Sequence, residues 1–179
     1  MREHFNKREI LNSLIPVVEN TAMRYNLIPL EVSLEKENAH WFLRIFIYCP
    51  DHPVSHLDCE NITRGLGDFL DELIPFKYYL EVSSPGLNRK LKSTREYVIF
   101  RGKDVVLKVK NPLEGLSSKT FRAKLVNYEE NVGLTVLPEQ TPEEICISLD
   151  NIFSVRLDED ININNQNKVT SPATTDKPT

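Results

Sequence analysis

Apolar residues recur at intervals of three and four near the start of the chain, at Ile10, Leu11, Leu14, Ile15, Val18, Ala22 and Tyr25. That spacing keeps returning to one side of a helix, so it predicts an amphipathic helix over residues 7–25, with Pro16 expected to kink it or to open its second segment. The period then changes to two. Leu30, Val32 and Leu34 alternate with Glu31, Ser33 and Glu35, and after a polar turn at Glu37-Asn38 comes the run Trp41 to Tyr48; the two read as a hairpin of strands. Ser55, followed three residues later by Asp58, has the form of a capping box with Asp in place of Glu. Cys59, Ile62, Leu66, Phe69, Leu70 and Leu73 follow at helical spacing, so residues 56–74 are expected to be a second amphipathic helix. Gly65 and Gly67 weaken it by about 1 kcal/mol each relative to Ala, which leaves tertiary packing to hold it. Pro75 ends it, and Tyr78, Leu80 and Val82 alternate with Tyr79 and Glu81 as a third strand.

The order α-β-β-α-β predicts a small α+β domain over residues 1–87, a three-stranded sheet with helices on one face. Beyond Leu91 the texture becomes all-β, with no helix expected to exceed a turn. Strands are expected at 104–110, 120–128, 133–137, 144–149 and 152–157, between Asn-Pro, Glu-Glu-Asn and Pro-Glu-Gln-Thr-Pro breaks. Five short antiparallel strands in about 60 residues suggest a second domain, 88–158, folded as a small SH3-like barrel whose closure removes exposed edges. Residues 159–179 are rich in Asn, Thr and Pro and offer almost nothing to bury, so a disordered tail is expected there.

Charge divides the chain in the same place. Residues 1–87 hold 8 basic and 13 acidic side chains, net −5, whereas residues 88–157 hold 12 and 9, net +3. Between Asn88 and Lys124 there are 11 Lys and Arg against 3 acids, a local charge of +8 inside a protein of net charge −4. Nucleic-acid binding follows local surface charge rather than the overall isoelectric point, so the acidic average does not exclude RNA as a partner.

Several function classes drop out. The longest apolar stretch, Trp41 to Cys49, is broken by Arg44 and falls far short of the ~20 residues that cross a bilayer. The first residues have neither an apolar core nor a cleavage site of small residues, so a cytoplasmic location is expected. Three cysteines without CxxC spacing fit reduced thiols. Cys49-x2-His52-x3-His56-x2-Cys59 gathers four zinc-ligand types, but the cluster is too local to staple distant segments, and a loop-and-core role is the expectation, with no metal or other cofactor. There is no phosphate-cradling Gly-x4-Gly-Lys-Ser/Thr loop and no nucleophile elbow, and the histidines at 4, 40, 52 and 56 lie beside no recognised nucleophile motif, so catalysis is not expected.

The join between the two halves reads Glu81-Val82-Ser83-Ser84-Pro85-Gly86-Leu87-Asn88-Arg89-Lys90-Leu91. It closely resembles the hallmark EVSSPGLDRPL of the bacterial ribosome maturation factor RimP family. The resemblance extends over roughly residues 8–157, including Asp58-Cys59, Phe100-Arg101-Gly102-Lys103 and Leu149-Asp150-Asn151-Ile152. It implies a KH-like N-terminal domain and an Sm- or SH3-like C-terminal barrel. It also implies a non-catalytic cytoplasmic factor that binds the immature small (30S) subunit, contacting rRNA and a small-subunit ribosomal protein. Two positions depart from the pattern: Asn88 stands where the family usually has Asp, and Lys90 where it usually has Pro. A more basic, less rigid turn is expected from them.

Pro85-Gly86 predicts a type II turn, Pro fixing φ at its first central position and Gly supplying positive φ at the second. The expected ribosome- or RNA-binding set is Ser83, Ser84, Pro85, Gly86, Arg89, Lys90 and Lys92 around that turn, with Arg101, Lys103, Lys119, Arg122 and Lys124 on the barrel. Lys108 and Lys110 share a strand parity, as do Arg122 and Lys124. The alternative roles of these residues are to set the interdomain angle and to form an ordinary solvated face. Phe76, Tyr78, Tyr79 and Trp41 fit core positions better than base-stacking ones. The acidic N-terminal half is a poor phosphate binder by charge and suits a basic protein partner. A monomer without small-molecule substrate is expected, and the competing reading is an Sm-like regulator acting on non-ribosomal RNA.

Overall fold

A computed structural model describes residues 6–158 as two compact units, dividing between Gly86 and Leu87. The tail expected to be disordered, 159–179, lies outside the described residues.

The first unit runs α1 (Lys7–Met23), β1 (Ile28–Glu37), β2 (His40–Tyr48), α2 (His56–Leu73) and β3 (Tyr78–Ser83). The Asn6 side chain accepts the Arg8 N–H at 3.1 Å and caps α1, which continues through Pro16 as one element, so no second segment begins there. The β1–β2 loop is two residues long, Asn38 (φ 45°) and Ala39 (φ 72°), and positive φ at both gives the twist that suits a tight hairpin. β2 pairs antiparallel with β1 and parallel with β3, the order being β1-β2-β3, because α2 carries the chain back across the sheet before β3 begins.

Ile10, Leu14 and Val18 of α1 and Ile62, Leu66 and Leu70 of α2 share one core with Leu34, Leu43, Ile45 and Ile47 of the sheet. Both helices therefore cover the same face. A Cβ on Gly65 would lie 2.6 Å from the Thr21 methyl, so the glycine that weakens α2 locally is what allows α1 to approach it. The capping box read from Ser55 and Asp58 is formed: Asp58 N–H donates to Ser55 Oγ at 3.2 Å, and Ser55 N–H donates to Asp58 Oδ2 at 2.7 Å.

The second unit contains α3 (Thr94–Ile99) and strands β4 (Asp104–Val109), β5 (Thr120–Glu129), β6 (Gly133–Pro138), β7 (Ile145–Ile147) and β8 (Ile152–Leu157). α3 corrects the expectation of no helix beyond a turn. Ser93 caps it by accepting the Glu96 N–H at 3.4 Å, and it ends at Phe100, whose ring is fully buried. All strand pairs are antiparallel, in the order β7-β6-β5-β4-β8, and inward residues Val105, Leu107, Phe121, Leu125, Leu134, Val136, Val155 and Leu157 form the core.

The expected barrel is not closed. Among the described residues β7 and β8 are the two edges of an open sheet, and two features account for it. β7 offers only three residues for pairing, and the outer edge of β8 is already taken by Arg89–Leu91. Leu157 N–H donates to the Arg89 carbonyl and Leu91 N–H to the Val155 carbonyl, both at 2.9 Å, and Lys90 bridges Arg156.

Among the described residues no helix is long and apolar enough to cross a membrane.

Candidate functional site

The signature segment is where sequence and structure differ most instructively. Gly86 has φ +80°, the positive value its place after Pro85 predicts, but the turn itself falls one step later, at Leu87–Asn88. The chain then lies along β8. Because a short strand alternates its side chains, Lys90 faces outward with its partner Arg156, while Arg89 and Leu91 turn inward, 7% and 4% exposed.

Arg89, expected to reach phosphates, is buried instead. Its Nη2 donates to Glu96 Oε1 at 2.8 Å and its Nε to Glu96 Oε2 at 3.3 Å, and Glu96 also accepts the Lys92 backbone N–H at 3.1 Å. Two-point guanidinium–carboxylate pairing fixes orientation as well as charge. The pair ties the segment entering the unit to the first turn of α3, so Arg89 organises the fold from inside.

The other expected residues divide by place. Gly102 (φ +83°) lets the chain reverse after α3; its N–H donates to the Leu125 carbonyl at 2.7 Å, and Leu125 N–H donates to the Lys103 carbonyl at 2.9 Å. This pins Arg101 and Lys103, both exposed, beside β5, where Lys124 Nζ lies 3.5 Å from the Gly102 carbonyl. Lys119, just before β5, donates to the Lys110 carbonyl at 2.8 Å. Lys92 is exposed, and Ser83 and Ser84 are exposed at the end of β3 and just after it.

Register shows which cations share a face. Val106 sits between Arg122 on β5 and Arg156 on β8, and Arg156 bridges Lys90, so Lys90, Arg156 and Arg122 form a row across the outward side of the sheet. Lys124 and Lys108 flank that row, with Lys108 Nζ 4.8 Å from the ring centre of Phe153, itself 59% exposed.

Part of the charge is spent internally. Arg122 Nε is 3.0 Å from the largely buried Asp158 carboxylate, and Lys124 Nζ is 3.2 Å from Asp104 in an exposed pair of the kind worth at most about 1 kcal/mol. The +8 counted along the sequence thus overstates the cationic surface, since Asp158, which pairs with Arg122, lies outside that window. Arg156 and Lys108 belong to the face although sequence reasoning did not single them out as a site. Strand parity places each on one side of its own strand, but only cross-strand register says that those sides coincide.

The four zinc-ligand types of residues 49–59 occupy ordinary positions. Cys49 is buried at the end of β2, Cys59 is half-buried in α2, and His52 Nδ1 lies 3.0 Å from the Pro53 carbonyl. No group of three or more His, Cys, Asp or Glu capable of holding a metal occurs among the described residues.

Residues 17–88 match the family model of the RimP N-terminal domain. The match takes in the second half of α1, the whole three-stranded sheet, α2 and the first part of the signature segment. That stretch of the chain is accordingly similar to the RimP N-terminal domain.

Proposed function

We propose that this protein is a ribosome maturation factor that binds the immature small ribosomal subunit and assists its assembly without catalysis, acting in the cytoplasm. The observation that carries the reading is the RimP N-terminal domain at residues 17–88. The outward face of the second unit supports it, since Lys90, Arg156 and Arg122 are aligned at strand spacing and rRNA phosphates are the dense polyanion such a row suits. Arg101, Lys103, Lys92 and Lys119 extend the cationic surface at its margins, and Ser83 and Ser84 add hydroxyl donors near the turn.

Co-sedimentation with separated ribosomal subunits tests the proposal. The wild type is expected to travel with small subunits and not with large subunits or joined ribosomes. Lys90→Glu/Arg156→Glu, which leaves the Arg89–Glu96 pair intact, is expected to stay at the top of the gradient. Wild-type protein that sediments with no particle at any salt concentration would refute the subunit reading.

A further inference from the structure

β8 interrupts its own alternation. Leu157 and Val155 are buried in the core of the second unit, and a regular strand would send Phe153, two residues earlier, to the same side. The pairing with β4 slips there. Lys108 faces Ser154 and the next residue, Val109, faces Ile152, so Phe153 is one residue too many for its partner strand. Such a β-bulge re-aims a side chain, and bulges recur beside functional sites. Its effect here is to leave Phe153 59% exposed and to set its ring against Lys108, whose Nζ lies 4.8 Å from the ring centre.

Lys108 sits between buried Leu107 and Val109 and so belongs to the outward side of β4, which puts the ring at the end of the basic face. The next outward pair along the two strands is Val106 with Arg156, in the row with Lys90 and Arg122. The acids of this region are Asp150, exposed on the turn before β8, and Asp104 and Asp158, which lie against Lys124 and Arg122. Among the described residues the Lys108 ammonium meets the Phe153 ring and the Arg156 guanidinium donates to the Asn88 carbonyl at 3.5 Å; neither is paired with a carboxylate. The outward residues nearest the ring on these strands are Lys108, Ser154 and Arg156, so it stands among polar groups and not within an apolar patch of the kind another protein covers.

We infer that Phe153 is a stacking platform for an unpaired base of single-stranded RNA, with Lys108 and Arg156 holding the flanking phosphates. Sites for single strands combine an aromatic ring under a base with cations along the backbone, and this corner supplies both. A base within a duplex has both faces covered by its neighbours and cannot take the ring. The site therefore favours unpaired segments, a choice that a row of cations meeting phosphates does not make. The inference rests on the reading of this face as an RNA surface and adds to it the form of RNA that is held.

The test uses the full chain and a fluorescein-labelled RNA of about twelve nucleotides without self-complementarity, alone and annealed to its complement. Phe153→Ala is expected to weaken the single strand about tenfold and to leave duplex binding little changed. Phe153→Leu, which keeps an apolar side chain but no ring, should behave like Phe153→Ala, and Phe153→Tyr should bind like the wild type. Stacking releases no counterions, so Phe153→Ala should leave the slope of log affinity against log salt unaltered, whereas Lys108→Ala should lower it by about 1. The stacking site is overturned, with the small-subunit reading left to its own sedimentation test, if Phe153→Ala binds the single strand like the wild type, if Phe153→Leu retains full affinity, or if strand and duplex lose equally. Wild-type protein that binds neither RNA would overturn it together with the RNA surface on which it rests.

Discussion

Arg89 and Glu96 expose 5% and 3% of their side chains, so each is the main reason the other can be charged where it is. Removing one member of such a pair leaves an uncompensated buried charge, at a cost of about 3–5 kcal/mol, whereas replacing both by apolar residues of similar volume is often close to neutral. Glu96→Ala and Arg89→Ala are accordingly expected to lower the unfolding free energy by about 3 kcal/mol, and Arg89→Met/Glu96→Leu by much less; urea titrations of the three variants check this. Single variants as stable as the wild type would return Arg89 to the surface. Gly133 makes a second single-residue argument. Its φ is +142°, and a Cβ there would sit 2.3 Å from the Ile147 carbonyl oxygen on β7. Gly133→Ala should therefore cost about 2 kcal/mol or more, read as a drop in melting temperature, because neither backbone can yield without breaking the β6–β7 pairing.

Within α2 the two glycines look alike in the sequence and differ in the fold. Gly67 has nothing within 4 Å of the position of an added Cβ, so Gly67→Ala should gain the ordinary helix-propensity difference of about 1 kcal/mol. Gly65→Ala should instead destabilise, since its Cβ would press on buried Thr21 and drive α1 away. Thermal denaturation of the pair separates the two effects by sign. The start of the same helix titrates. The Ser55 hydroxyl, and after it the Ser55 backbone N–H, hold the Asp58 carboxyl below the usual carboxylate range, against a smaller opposing effect of burial. A depressed folded-state value means that this contribution is fully present above the unfolded carboxylate's pKa of about 3.9 and fades as pH falls below it. Ser55→Ala should lower stability at neutral pH by about 1 kcal/mol. The gap between variant and wild type should narrow as the pH is lowered toward 2, and a gap independent of pH would disprove the coupling.

For the whole molecule, the two halves of the chain carry opposite net charge, −5 over residues 1–87 and +3 over residues 88–157. Binding of the second unit to a polyanion releases counterions, so its affinity should fall steeply with salt, with a slope reduced by about 1 for each phosphate contact removed. Lys90→Ala/Arg156→Ala is expected to weaken small-subunit binding and to lower the slope of log affinity against log salt by about 2, measured by sedimentation across a salt series. A slope that does not change would place the contact elsewhere on the chain. Arg122→Ala should have the smaller effect on that slope, because Asp158 already neutralises much of its charge.

Local physics was enough to specify most of the elements. The change of apolar spacing from three-and-four to two, the Ser55–Asp58 cap and the break at Pro75 define α1, α2 and the first three strands, because each depends on residues close in sequence. The five later strands and the division of charge near residue 88 are local in the same sense. α3 carries a local signal too, Ser93 with Glu96 three residues on, but six residues are too few for an apolar period to show. Register, closure and burial are properties of contacts between distant segments, and only the tertiary structure decided them. It set Arg89 against Glu96 inside the second unit, gave the outer edge of β8 to Arg89–Leu91 so that the sheet stays open, and aligned Lys90 with Arg156 and Arg122, three cations whose common face no spacing along the chain records.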